Sequence, residues 1–177
     1  MSIPSCGRAF AGFLVFAVAL AAQGQIGSLD LGFEPLPGPN TGVNCPGLQA
    51  DGKVLIGGAF TSVDYSPHRR VARINTDGTV DASFLDPGLS GVARAFAIQV
   101  DGKVIIGGEF PYLFGGGTYG VARLDTNGRV DTNFNAGAMK GNNSPYSGPD
   151  VYSLAMQADG KILIGGTFTN VGGFDHR

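Results

Sequence analysis

The chain has 177 residues, 43% of them hydrophobic, enough for a packed core and too apolar for global disorder. Thirty glycines and ten prolines without a Gly-X-Y period indicate many tight turns and exclude a collagen-like rod. A formal net charge of −2 gives no basis for binding nucleic acid or an anionic membrane surface.

The first element is an uncharged apolar run, Ala9 to Ala22, preceded by the single basic residue Arg8 and followed by Gln23-Gly24-Gln25. That order of charged, apolar and small residues is the pattern of a secretory signal peptide. The run is shorter than the roughly 20 residues a spanning helix needs. Residues 1–24 are therefore expected to be a signal peptide, residues 25–177 the mature chain, and the protein secreted or displayed at the cell surface with no membrane span after cleavage. Cleavage takes away Arg8 and no acid, leaving a net charge of −3. It also takes away Cys6 and leaves Cys45 alone, so no intrachain disulfide can staple the fold. Cys45 reads as a small buried residue rather than a nucleophile.

From residue 27 onward the chain repeats itself. Gln49-Ala-Asp-Gly-Lys-Val-Leu-Ile-Gly-Gly-Ala-Phe60 returns as Gln99-Val-Asp-Gly-Lys-Val-Ile-Ile-Gly-Gly-Glu-Phe110 and as Gln157-Ala-Asp-Gly-Lys-Ile-Leu-Ile-Gly-Gly-Thr-Phe168. A second phrase interleaves with it: Val71-Ala-Arg-Ile-Asn-Thr-Asp-Gly-Thr-Val-Asp-Ala-Ser-Phe84 matches Val121-Ala-Arg-Leu-Asp-Thr-Asn-Gly-Arg-Val-Asp-Thr-Asn-Phe134. The units span about 43–84, 93–134 and 151–177. A Gly-, Asn-, Ser- and Pro-rich insertion at 138–149 reads as a surface loop.

Each phrase predicts a hairpin, because Asp-Gly and Asn-Gly accept the positive φ of a tight turn. The first unit then holds four strands, near Val43–Leu48, Lys53–Gly57, Val71–Asn75 and Thr79–Asp81. The second strand is apolar without alternation in every unit, as in Val54-Leu55-Ile56, which predicts cover on both faces. Four-stranded antiparallel sheets stacked around an axis meet that demand, so the expected fold is an all-β, propeller-like tandem repeat of about 2.5–3 blades. An open β-solenoid is the alternative. The glycine pairs at 57–58, 107–108 and 165–166 predict a bulge or a close backbone approach. Residues 27–33 match the last strand of a unit and would serve an adjoining blade. By the spacing of the earlier units the chain stops two residues before its next strand. The expectation is that it is a piece of a longer repeat protein, or an open arc that closes by self-association.

The quoted Asp-Gly-Lys…Gly-Gly-x-Phe and Ala-Arg…Gly-x-Val-Asp-x-x-Phe phrases resemble the delta-60 repeat, a bacterial β-propeller family of unknown function. The resemblance covers nearly all of residues 27–177. It implies a fold, and an exported or surface protein carrying tandem repeats. It implies no activity and assigns no functional residue.

Candidate chemistry is sparse. Asn75, Asp77 and Asp81, and likewise Asp125, Asn127 and Asp131, place side-chain oxygens where a small calcium loop would want them. Turn-forming hydrogen bonds account for the same residues without a metal, so no cofactor is expected beyond this calcium alternative. Arg73 and Arg123 are expected to bond an acid such as Asp81 or Asp131. Lys53, Lys103 and Lys161 read as solvated or paired, and His68 and His176 as exposed loop residues. The leading expectation is a non-enzymatic module that binds an extracellular protein or glycan through loops that differ between units: Tyr65–Arg70, Pro111–Tyr119 and Lys140–Pro149. Tyr112, Tyr119 and Tyr146 are the candidate contact residues, since aromatic loop residues anchor interfaces, and packing between blades is the equal alternative for them. The alternative is a propeller enzyme, a glycan lyase or hydrolase, for which Glu34 and Glu109 are the acids that stand apart from the repeat.

Overall fold

The structure is a computed structural model that describes residues 38–110, 120–137, 139–141, 148–172 and 174–175. The expected signal segment 1–24 and the strand-like residues 27–33 lie outside them. Every regular element among the described residues is a strand.

The first unit pairs β1 (Val43–Leu48), β2 (Val54–Gly58) and β5 (Val71–Ile74) as an antiparallel sheet in the order β1-β2-β5. The second pairs β6 (Val92–Ile98), β7 (Val104–Glu109) and β8 (Val121–Leu124) in the same way. The third pairs β10 (Asp150–Met156) with β11 (Ile162–Thr167). The expected fourth strand is reduced to a single bridge, Ile74 with Val80 and Leu124 with Val130. The Asp81 and Asp131 N–H groups still bond the Arg73 and Arg123 carbonyls, but the chain turns there: their carboxylates take the N–H groups of Ser83 and Asn133, and their carbonyls those of Phe84 and Phe134.

The hairpin loops differ in detail from the expected turn in which Asp as well as Gly accepts positive φ. Gln49 and Lys53 close the first loop, and the Gly52 N–H bonds the Gln49 carbonyl at 3.0 Å. Only the glycine takes positive φ, at 84° in Gly52 and 81° in Gly102. Asp51 instead accepts the Lys53 N–H on its carboxylate. The loop is thus a three-residue turn ending in a left-handed glycine, and the aspartate caps it.

An extra hairpin that the repeat phrases do not announce follows Phe60. It consists of β3 (Ser62–Val63) and β4 (Ser66–Pro67). Asp64 and Tyr65 form its turn with φ of 51° and 60°. In the third unit β12 (Asn170–Val171) pairs both β13 (Phe174–Asp175) and β9 (Met139–Lys140), a strand of the insertion.

The three units stack face to face. β1, β6 and β10 lie in succession, with β2 also against β6 and β10 against β7. Between the first and second units lies a core of Leu55, Val71, Phe84 and Leu89 against Ala93, Val104, Ile106 and Leu124. Between the second and third lies one of Ala97, Ile105 and Val121 against Met139 and Val151, with Leu154 and Ile164 packed on it. The middle strand β7 is the element covered on both faces: Val104, Ile105 and Ile106 are fully buried. This is an incomplete, propeller-like β-repeat.

The glycine pairs do what their position suggested. The ladder shifts register opposite each pair, between Val43 and Cys45, Ala93 and Ala95, and Val151 and Ser153. A Cβ on Gly57 would stand 2.7 Å from Phe96 Cζ of the next unit, and one on Gly107 would stand 2.6 Å from Val151 Cγ1. These glycines let one sheet approach the next.

Candidate functional site

The polar groups that recur in the first two units hold one another. In the first unit Asp81 Oδ2 accepts from Lys53 Nζ at 2.7 Å and from Arg73 Nε at 2.8 Å. Asp81 Oδ1 takes the Ser83 N–H and hydroxyl. Arg73 lies over the Phe84 ring, 4.8 Å from its centroid. Its Nη1 reaches out of the unit and donates to the Thr126 carbonyl at 2.7 Å. In the second unit Arg123 and Lys103 meet Asp131 at 2.8 and 3.5 Å, and Arg123 lies over Phe134. Burial of Asp81 opposes its ionisation, but hydrogen bonds from Lys53, Ser83 and Arg73 outweigh it and hold the carboxyl well below its ordinary range. In Asp131 the same contest, with Asn133 and Arg123 as donors, also lowers the value. The expected Arg–Asp pairs are therefore present, and they join strands to turns.

The residues of the calcium alternative are drawn into the same scaffold. Asp77 Oδ1 accepts the Thr79 N–H and hydroxyl, which lower its pKa. Asp125 Oδ1 accepts the N–H groups of Asn127 and Arg129. Asn75 donates to the Thr79 hydroxyl. Among the described residues, no three His, Cys, Asp or Glu side chains come together as a metal-holding group.

Other candidates fall as follows. Cys45 is buried, as expected, and burial pushes its thiol up to about 12 despite a hydrogen bond from the Gly57 backbone. His68 was expected in the open; it is half-buried, on the extra hairpin where its backbone N–H donates to the Thr61 carbonyl. Glu109 is exposed at the end of β7 and pairs with Arg94 at 3.0 Å. Arg94 also bonds Asp150 of the third unit at 2.8 Å, and these acids raise its pKa against the lowering effect of burial. Tyr112, Tyr119, Tyr146, Glu34 and His176 lie outside the described residues.

One of the three candidate loops, Tyr65–Arg70, is described, and it borders a cleft. The cleft has a volume of about 460 Å³ and is lined by Thr61, Pro67, Arg69, Arg70, Gly88, Leu89 and Ser90. One wall is the β3–β4 hairpin. The other is the connection from Phe84 to β6, anchored where Asp86 accepts the Arg69 and Gly88 N–H groups. Arg70 adopts positive φ, at 70°, and its guanidinium bonds the Ala59 carbonyl. Arg69 is the exposed one of the two arginines that line the cleft. The lining combines Thr61 and Ser90, two arginines and the apolar Pro67 and Leu89, and the volume lies within the usual range for small-molecule sites. Sequence reasoning named the hairpin side but missed residues 88–90, which carry no motif.

A family model described as a domain of unknown function (DUF5122) beta-propeller matches residues 49–84, 99–134 and 157–177, just over half of the chain. No curated protein and no solved structure matches it.

Proposed function

The chain belongs to this β-propeller family of unknown function, and from that premise we propose that it is a non-enzymatic, secreted or cell-surface repeat module that binds an extracellular glycan or protein. The observation that carries the reading is the cleft beside Arg69, which lies on segments that differ between units, whereas the repeated acids and cations hold the scaffold. Export is supported by the N-terminal charged, apolar and small-residue order. The resemblance of the repeat phrases to the delta-60 family supports the same compartment.

The test is a glycan array and a pull-down with the exported chain, wild type against Arg69→Ala. Selective binding should weaken by about 10-fold or more in the variant, since arginines at interface centres often carry that much. The melting temperature should not change, because Arg69 is exposed. Turnover of a polysaccharide would replace this reading with an enzymatic one.

A further inference from the structure

We propose that the outer face of the third unit receives the outer face of the first unit from a second copy of this chain, head to tail. The two contacts inside the chain define the rule. Each unit presents a forward face, built from the positions of Leu55 and Gly57, to a rear face built from the positions of Phe96 and Ile98. In the first contact Phe96 stands over Gly57 and Gly47, and Ile98 packs on the Leu55 core. In the second, Leu154 and Val151 stand over Gly107, and Met156 packs on the Ile105 core.

Both halves of that contact recur on open surfaces. The forward face of the third unit carries Leu163, which occupies the position of Leu55 and Ile105. Those two are fully buried, but Leu163 is 55% exposed. Ser153 and Ala155 beside it are exposed, although their counterparts Ala95 and Ala97 are buried. A Cβ on Gly165 would meet only Ser153 of its own unit, where Gly57 and Gly107 meet the next sheet.

The rear face of the first unit carries Pro46 in the position of Phe96 and Leu154, and Leu48 in that of Ile98 and Met156. Pro46 is exposed and Leu48 is 73% exposed. Val54 and Ile56 are half-buried on a small cluster of their own, whereas Val104 and Ile106 are fully buried. A ridge of Pro46 and Leu48 over the groove at Gly165 and Leu163 would continue a contact the chain already makes twice. Because the two faces differ, the association is heterologous; it closes a ring if the rotation allows and otherwise extends.

The experiment is sedimentation of the chain recovered after export, so that any processing has occurred, over a concentration series. Wild type should self-associate. Leu163→Asp and Pro46→Asp should each weaken association by about 30-fold or more. Mixed one to one, the two variants should form a heterodimer, since each retains the face the other has lost. Both side chains are exposed, so circular dichroism should show the fold intact; should Leu163→Asp unfold, Ala155→Arg on the same face replaces it. A wild-type chain that stays monomeric throughout overturns the proposal. So does a Pro46→Asp chain that associates as wild type does, which would mean that the Leu163 face pairs with itself or with nothing.

Discussion

Asp81 is the residue on which the first unit turns. It and Arg73 are both buried, and its two oxygens take four hydrogen bonds from Lys53, Arg73 and Ser83. Removing one partner of such a pair strands the other charge in the interior, so Asp81→Ala should cost about 3 kcal/mol in urea denaturation. Asp131→Ala should cost less, because Arg123 is more exposed than Arg73. The folded pKa of Asp81 lies below its unfolded value of about 3.9. Its contribution is therefore fully present above about pH 4 and is lost as pH falls through the folded value. A denaturation series from neutral pH to acid should show this loss in wild type and a flatter acid limb in Asp81→Asn. Cys45 behaves in the opposite way: with its thiol up at about 12 and buried, it should resist iodoacetamide at pH 8 until the chain is unfolded in urea. The Arg73–Asp81 pair was legible in the sequence because both residues recur eight apart, flanking an Asp-Gly turn. The bond from Arg73 to Thr126 was not, since no local spacing records a contact between units.

At the scale of the element, the close approach of sheets depends on glycine. Gly107→Ala would drive a Cβ into Val151 Cγ1, which belongs to a packed core, and overpacking of that kind costs about 1–3 kcal/mol. Gly165→Ala meets only the Ser153 hydroxyl, which can rotate away. A melting comparison of the two variants should show a clear loss for the first and a small one for the second. The apolar triplets predicted strands covered on both faces, and β7 fulfils this completely, whereas Leu163 in β11 does not. The triplet encodes what a strand is made for; whether a neighbour is present is not written in it. The β3–β4 hairpin escaped notice for a different reason. Its turn is made by Asp64 and Tyr65 in left-handed conformation, and Tyr is not a residue that announces a turn. The cleft beside Arg69 depends on that hairpin, so half of the candidate site was hidden with it.

For the molecule as a whole, cover is graded along the stack. Among the described residues the second unit is packed on both faces, and the first and third each have one face open. Local opening tracks the amount of buried apolar contact, so in the dissociated chain amide hydrogen exchange should be slowest at Val104–Ile106 and markedly faster at Ile162–Ile164, and the gap should narrow as the chain is concentrated and associates. Equal protection in the two segments would mean that the outer face of the third unit is covered in solution. The stacking order followed from the repeat itself, since units that cannot bury both faces alone must cover one another.

The bond from Arg73 to the Thr126 carbonyl also sets a clock. Its partner lies 53 residues downstream. A ribosome adds roughly 5–20 residues per second, so the acceptor is made about 3–10 s after the donor. Through that interval the first unit can form its strands and its pair with Asp81, but it cannot make its link to the second. The first unit is finished by the second, and the second by the third through the bond from Arg94 to Asp150, so the order of synthesis becomes the order in which these links lock.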